Sequence, residues 1–258
     1  MKNSRDFLKE RPLPHLASPL LSGIGVVHGF MTRKGGVSPS PFDSLNLGTN
    51  TEDKEENVIK NKELYERSFS FKSGTLKTLT QVHGNKVAVA GDDTDTEADA
   101  IITDQHDLPI GVLTADCVPI LLCNEDKKAV GAVHAGWRGM VGGIIENTIE
   151  ALKERYGAKA DELTALIGPA IGPCCYEVSE DVAEQFREKL HNVIRVQDDN
   201  IFLDLPSGAF SILSKAGVRA EKIWSSGHCT SCETDLFFSY RKENGKTGRQ
   251  LSFIMIKE

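Results

Sequence analysis

Two histidines and one cysteine stand at the ends of predicted strands. His83 lies in QVHGNKV, Cys117 in TADCVPI and His134 in VHAGWRGM, and strand ends hold site side chains rigidly. Two histidines and a cysteine could supply three ligands to zinc and leave a fourth position for water or substrate, as in catalytic zinc sites. The spacings of 34 and 17 residues match no local zinc motif, so three unrelated residues near a core, with Cys117 simply buried, remain the alternative.

The glycine-rich segment at 135–143, AGWRGMVGG, contains Arg138. Glycines allow a tight turn and close approach by another molecule. The apolar spacing predicts a helix over 141–156, whose free N–H groups and positive dipole end would face an anion. A guanidinium suits phosphate oxygens, so a phosphate or oxyanion pocket is predicted here, although no P-loop motif occurs. The alternative is a strand-to-helix turn with a surface arginine.

A second candidate ligand loop spans 32–48, TRKGGVSPSPFDSLNLG. It contains Arg33 before two glycines and Asn46 in a short mixed segment. Both residues are weaker candidates for phosphate or substrate binding. A surface loop shaped by Pro39 and Pro41 is the alternative.

The other cysteines carry weaker signals. Cys229 and Cys232 form one C-x-x-C beside His228, but no second pair is spaced for a structural zinc and no thioredoxin-like context is present. Cys174 and Cys175 follow two Gly-Pro turns, and the zinc deaminase signature is absent because no histidine is followed by x-Glu. The sequence favours buried or incidental thiols.

Composition excludes several classes of protein. The 258 residues are 40% hydrophobic and 26% charged, which is typical of a folded domain that needs no metal to fold. The net charge of −7 argues against a duplex nucleic-acid partner. The longest apolar run, 118–123, is too short for a membrane span, and the N-terminal residues lack the apolar stretch of a secretory signal. A cytoplasmic protein with reduced thiols is expected. The acidic stretch at 91–100 is interpreted as a solvated loop, since it does not fit an EF-type calcium site.

The hydrophobic pattern predicts an α+β fold (mixed α/β) in one domain without a linker. The predicted helices cover 53–69, 141–156 with Gly157 as C-cap, a segment starting after Ser179, and 207–216. The predicted strands cover 76–83, 86–90, 100–103, 110–114, 118–123, 129–134, 163–168 and 251–256.

Five motifs in this order resemble the bacterial laccase-domain or polyphenol oxidase family, whose members are now described as purine nucleoside phosphorylases. They are TQVHG, ADCVPILL, VHAGWRG, IGPAIGPCCYEV and LFFSYR with TGRQ, spread over about Thr32 to Ile256. The resemblance implies a zinc ion held by His83, Cys117 and His134. It also implies a single-domain four-layer α/β/β/α sandwich over 1–258.

The implied activity is phosphorolysis of adenosine, inosine, guanosine and S-methyl-5'-thioadenosine to free base and (methylthio)ribose 1-phosphate, with accompanying adenosine deaminase activity. Purine nucleosides and phosphate are therefore the expected partners; no nucleic acid or membrane is expected, and no oligomeric state is predicted. Arg138 would hold phosphate together with the helix start. His228 and Asp116 are candidates for protonating the leaving base.

Three alternatives stay open. A self-contained multicopper laccase needs about ten histidine ligands, whereas the chain has seven histidines. A weak copper-dependent polyphenol oxidase side activity stays open, with copper in place of zinc, because copper(II) binds such ligands more tightly. A metal-free hydrolase would use Cys117 as nucleophile and His83 or His134 as base. A non-catalytic binding protein would use the glycine-rich turns to hold a nucleotide or a partner.

Overall fold

Two β-sheets pack face to face at the centre of the molecule. The structure, a computed structural model, describes residues 8–10, 13–92, 97–124, 126, 128–190 and 192–258. The strands are β1 (Leu8–Lys9), β2 (His15–Leu16), β3 (Val26–Met31), β4 (Val87–Val89), β5 (Ala100–Thr103), β6 (Ile110–Thr114), β7 (Val118–Asn124), β8 (Ala129–Ala135), β9 (Thr164–Ile167), β10 (Glu177–Val178), β11 (Ile194–Gln197), β12 (Asn200–Leu203), β13 (Ile223–Ser225) and β14 (Gln250–Ile256). A five-stranded sheet has the order β1-β2-β3-β14-β6, and a six-stranded sheet has the order β13-β9-β7-β8-β5-β4. A small sheet, β10-β12-β11, lies beside them.

Alternation along the strands explains the packing of the six-stranded sheet. Successive side chains point to opposite faces. Ile101 and Leu121 therefore pack in the core between the two sheets, whereas Ile102 and Ile120 pack in a second core under the helices. Because both faces are apolar, each must be covered.

Helices cover the outer faces of both sheets. They are α1 (Glu55–Ser68), α2 (Trp137–Val141), α3 (Ile144–Tyr156), α4 (Glu180–Lys189) and α5 (Leu205–Lys215). On the five-stranded sheet, Tyr65 of α1 packs against Phe253 of β14, with ring centroids 5.1 Å apart. On the six-stranded sheet, Ile145 and Ile149 of α3 join the second core. The order is helix, sheet, sheet, helices, which confirms the expected α/β/β/α sandwich.

Two predicted elements differ from the structure. The segment 76–83 is not a strand: it makes only isolated bridges, and the Gln81 side chain bonds both backbone groups of Leu113, at 2.7 and 2.8 Å, in place of a ladder. The predicted helix over 141–156 is broken at Gly143, which has φ 91°, so α2 and α3 are separate. Gly157 does end α3, with φ 70°.

Most of the other predicted helices and strands are present in the structure. Helices α1, α4 and α5 and the other predicted strands are confirmed within a few residues. The pattern misses β3 and the short strands β1, β2 and β10–β13.

Two further predictions are not tested by the structure. The acidic stretch at 91–100, interpreted as a solvated loop rather than a calcium site, falls partly on 93–96, outside the described residues. The one-domain assignment for 1–258 also stays a prediction. Among the described residues, no helix is both long and apolar enough to cross a membrane.

Candidate metal centre and its cavity

The three candidate ligands converge at one end of the six-stranded sheet. Cys117 immediately precedes β7 and His134 lies near the end of β8, and the two strands pair with Pro119 opposite His134. The loop at 82–85 brings His83 beside them, with the two imidazole centroids 4.8 Å apart. One ligand atom from each residue lies within 4.8 Å of the others. These atoms can therefore surround a single ion.

Buried Asp99, which no sequence pattern indicates, orients two of the ligands. Its Oδ1 accepts hydrogen bonds from His134 Nδ1 at 2.7 Å and from the His83 backbone N–H at 2.9 Å. Its Oδ2 accepts from the Gly84 N–H at 2.7 Å. A carboxylate on one ring nitrogen of a histidine leaves the other nitrogen free for a metal. Asp99 thus fixes both the His134 ring and the loop that carries His83.

The electrostatics favour a thiolate at Cys117. Burial alone would raise the pKa of this thiol, but the charge of His134 and hydrogen bonds from both histidines lower it to about 6. Burial would lower the pKa of His134, but the Cys117 thiolate and Asp99 raise it to about 9. Thiolate is the form that binds metals and attacks electrophiles. At neutral pH the metal-free pair is therefore a thiolate and an imidazolium.

The glycines at 135–143 serve close packing around the ligands. A Cβ at Gly136 would lie 3.0 Å from His83 Cδ2 and 3.1 Å from Cys117 Sγ, and a Cβ at Gly139 would lie 2.7 Å from the Gly84 oxygen. These contacts explain why small residues surround the site.

The loop at 82–85 packs against the start of α3, where the sequence predicts an anion pocket. Asn85 donates to the Gly142 oxygen at 2.7 Å, and Asn147 donates to the Asn85 oxygen at 2.9 Å. The loop at 82–85 therefore covers this helix start. These contacts do not involve the N–H groups of the helix start, so the phosphate pocket expected there stays a prediction.

A cavity of about 550 Å³ opens at the three ligands, within the size range of small-molecule sites. Its lining consists of Gly48, Thr49, Asn50, Leu79, Gln81, His83, Leu113, Thr114, Ala115, Asp116, Cys117, His134, Trp137, Arg138, Tyr176, Tyr240, Arg241 and Arg249. The cavity combines a possible metal centre with cationic and aromatic side chains.

Three arginines line this cavity, and only Arg138 is among the residues selected from the sequence. The Arg138 guanidinium lies 4.3 Å from the centroid of the adjacent Trp137 ring. Arg241 lies over Tyr176 at 5.0 Å. Arg249 donates to two backbone oxygens at 2.9 Å, and burial lowers its pKa, although a guanidinium stays protonated. Arg241 and Arg249 belong to the LFFSYR and TGRQ segments, so the family resemblance is the one sequence signal that points to them.

Arg33 and Asn46 do not line the cavity. The buried Arg33 guanidinium donates to the Asp43 and Thr234 backbone oxygens at 2.6 and 2.9 Å and pairs with Glu243 at 2.9 Å. Asn46 accepts from the Arg249 N–H at 2.9 Å. Both side chains are used in holding loops together, so we leave them out of the proposed phosphate site.

The two candidate proton donors are also held by the fold. Asp116 lines the cavity, but its Oδ1 accepts from Thr230 Oγ1 at 2.6 Å and its Oδ2 accepts from the Arg241 N–H at 2.7 Å. Buried His228 faces Glu233, 2.9 Å from Nδ1, and is not among the cavity-lining residues. Their positions favour structural roles.

Four of the remaining cysteines, interpreted from the sequence as buried or incidental thiols, lie together in the structure. The four-cysteine cluster comprises Cys174, Cys175, Cys229 and Cys232, whose sulfur atoms all lie within 4.8 Å of one another. Cys123, within β7, is buried. The sequence gives the second pair no recognisable spacing because the fold, not a local motif, brings the pairs together.

Known proteins resemble this chain over nearly its whole length. Residues 27–257 match a family model described as multi-copper polyphenol oxidoreductase laccase. The chain is 38% identical to a purine nucleoside phosphorylase of Deinococcus radiodurans, over 94% of this chain and 92% of that protein. It is 34% identical to purine nucleoside phosphorylase YlmD of Bacillus subtilis, over 90% and 89%. The crystal structure of YlmD from Geobacillus stearothermophilus superimposes with a TM-score of 0.91 at 32% identity, covering 98% of this chain and 99% of that one.

Proposed function

Because this chain belongs to the multi-copper polyphenol oxidoreductase laccase family, and its relatives are named purine nucleoside phosphorylases, we propose that it is a metal-dependent purine nucleoside phosphorylase. The observation that carries the proposal is the convergence of His83, Cys117 and His134 on a cavity lined by three arginines. The proposed substrates are adenosine, inosine, guanosine and S-methyl-5'-thioadenosine, each cleaved by phosphate. Adenosine deamination is proposed as an accompanying activity.

Zinc is the metal we propose, because one thiolate and two imidazoles match catalytic zinc sites that keep a fourth position open. When bound, zinc supplies Lewis acidity and lowers the pKa of a coordinated water. Copper is a possible substitute because it binds the same ligands more tightly. Asp99 would hold the His134 ring in the ligating orientation through its 2.7 Å hydrogen bond.

The cavity arginines would bind phosphate. A guanidinium presents paired N–H donors that match phosphate oxygens, and Arg138, Arg241 and Arg249 line one space. The aromatic side chains Trp137 and Tyr240 in the same lining offer apolar surface to a purine. Phosphate and nucleoside would thus be held beside the metal centre while the cavity wall excludes part of the solvent.

We do not propose a multicopper laccase activity, although the family is described as laccase. Among the described residues, two groups could hold a metal ion, and one of them contains histidine. That group consists of His83, Cys117 and His134. A multicopper oxidase needs a trinuclear centre as well, with about ten histidines in all, and the chain has seven.

The test is adenine release from adenosine, with and without phosphate, by His83→Ala protein whose zinc content is measured in parallel. The matched control is His106→Ala, since His106 is exposed and not among the cavity-lining residues. We expect His83→Ala to lose more than about 100-fold in turnover, because even residues behind the ligands are worth about 10–100-fold. Undiminished turnover with undiminished zinc would reject the proposal.

A second candidate is a metal-free cysteine hydrolase. It is favoured by the lowered pKa of Cys117, about 6, beside His134. Activity that survives thorough chelation and is abolished by iodoacetamide on Cys117 would support it. The phosphorylase proposal requires the opposite response to chelation. Tight nucleoside binding without turnover under any metal would instead indicate a binding protein.

A further inference from the structure

The four-cysteine cluster lies where two neighbouring strands end. Strands β9 and β13 are parallel, with Ile167 opposite Ser225, so the chain leaves both at the same edge of the sheet. Cys174 and Cys175 follow β9, and the C-x-x-C pair follows β13. A bridge joins the two loops, and the Thr230 N–H donates to the Ala170 oxygen at 3.1 Å. The topology therefore creates the cluster from two distant segments.

The four sulfur atoms lie close enough together to share one ion. The Sγ atoms of Cys174 and Cys229 are 3.5 Å apart, those of Cys174 and Cys232 are 3.5 Å apart, and those of Cys175 and Cys232 are 3.4 Å apart. Four thiolates around zinc at about 2.3 Å stand about 3.8 Å from one another. The longest separation in the cluster is within 4.8 Å. Small shifts of the sulfur atoms would bring these separations to the value expected around a zinc ion.

We propose that the four-cysteine cluster is a second zinc site, with four thiolate ligands and a structural role, separate from the metal centre in the cavity. Binding would form four zinc–sulfur bonds and release the thiol protons to solvent. Tetrahedral all-sulfur sites with no open position are typical of structural zinc. The spacing leaves room for one ion and not for a multi-iron cluster.

Exposure and hydrogen bonding support a ligand role over incidental thiols. Free cysteines are among the most buried residues, yet Cys174 and Cys232 are exposed. The Gly172 N–H donates to Cys229 Sγ at 3.2 Å, and backbone donors to sulfur stabilise metal-bound thiolates. Four thiols gathered on a surface would otherwise invite oxidation.

The site would fix the cavity wall. Tyr176 follows Cys175 directly and lines the cavity. Thr230, between the two cysteines of the C-x-x-C, donates to Asp116 at 2.6 Å, and Asp116 in turn accepts from the Arg241 N–H. Zinc at the cluster would therefore hold the loops that position Tyr176 and Arg241.

The test counts zinc per chain in untagged full-length protein by elemental analysis. Wild type should hold two zinc ions, His83→Ala one, Cys174→Ser/Cys232→Ser one, and the combined variant none. Cys123→Ala, which removes a buried cysteine outside both sites, is the matched control and should hold two. Zinc-edge X-ray absorption of His83→Ala should show only sulfur neighbours at about 2.3 Å, which requires no change to the cluster itself.

The outcomes separate this proposal from the proposed function. Zinc content unaffected by Cys174→Ser/Cys232→Ser, or nitrogen neighbours dominating the His83→Ala spectrum, would overturn the second site while leaving the cavity site intact. Wild-type peptides linked by a disulfide within the cluster, without a second zinc, would also overturn it. Loss of phosphorolysis in His83→Ala with the sulfur-only zinc retained would support both.

Discussion

Replacing Asp99 by asparagine should weaken the metal centre without changing any ligand. Asparagine has the same shape but only one acceptor oxygen, so its NH₂ group must face one pair of donors. If the oxygen stays with His134 and the His83 N–H, the NH₂ meets the Gly84 and Val82 N–H groups, which now lie 2.7 and 3.3 Å from Oδ2. Either orientation leaves buried donors without an acceptor.

The magnitude follows from these contacts. Hydrogen bonds to a charged acceptor are worth about 1.5–3 kcal/mol each. Since the Val82 contact is long, we expect Asp99→Asn to lower the free energy of unfolding of the metal-free protein by about 3 kcal/mol. Loss of a carboxylate behind a histidine ligand costs about 10–100-fold in metal affinity, which is about 1.4–2.7 kcal/mol.

The assay is competition with a chromophoric chelator for zinc, together with denaturant unfolding of the metal-free protein. Asp107→Asn is the control, because Asp107 is exposed and is not among the cavity-lining residues. Zinc affinity in Asp99→Asn equal to that of the control would refute the idea that Asp99 orients His134.

Three further predictions follow from single contacts. Gly136→Ala, whose backbone at φ −71° suits alanine, should lower zinc affinity about tenfold with little loss of stability; unchanged affinity in the chelator competition would show that the ligands tolerate the added Cβ. Iodoacetamide labelling of Cys117 in metal-free protein should rise with a midpoint near pH 6, and a midpoint near 9 would contradict the thiolate–imidazolium pair. Burial, together with the charge of His15, lowers the pKa of His28 from 6.5 to about 4, so between these pH values the unfolded chain binds more protons than the folded one. The free energy of unfolding should therefore fall by about 3 kcal/mol as the pH drops from 6.5 to 4. Denaturant unfolding of His28→Gln should show a smaller loss over the same range.

The apolar runs at 118–123 and 129–134 predict two strands, at whose ends Cys117 and His134 stand. That these strands pair as β7 and β8, and so bring the two residues together, is seen only in the structure. The same alternation of apolar residues predicts the two faces of the central sheet. The third ligand could not be placed in this way, because the segment before His83 is held by the Gln81 side chain rather than by a strand ladder.

The sequence pattern does not indicate residues whose roles depend on contacts between distant segments. Asp99 stands before β5 like an ordinary strand-bounding aspartate, and its importance comes only from the donors that two other segments, the loop at 82–85 and β8, bring to it. The four-cysteine cluster depends on β13 lying next to β9, after two intervening helices. Arg241 and Arg249 lie in or next to the irregular segment before β14, where no periodicity assigns side chains to a face.

The overall charge and the cavity charge lead to different conclusions about partners. A net charge of −7 repels a long polyanion, whose many phosphates would meet the whole surface. A single phosphate in the cavity meets a different field, because Arg138, Arg241 and Arg249 line that space and Coulomb interactions strengthen where water is displaced. The carboxylate in the same lining, Asp116, is already bonded to Thr230 and to the Arg241 N–H. An acidic surface that disfavours a long polyanion is thus compatible with a cationic cavity that attracts a small anion.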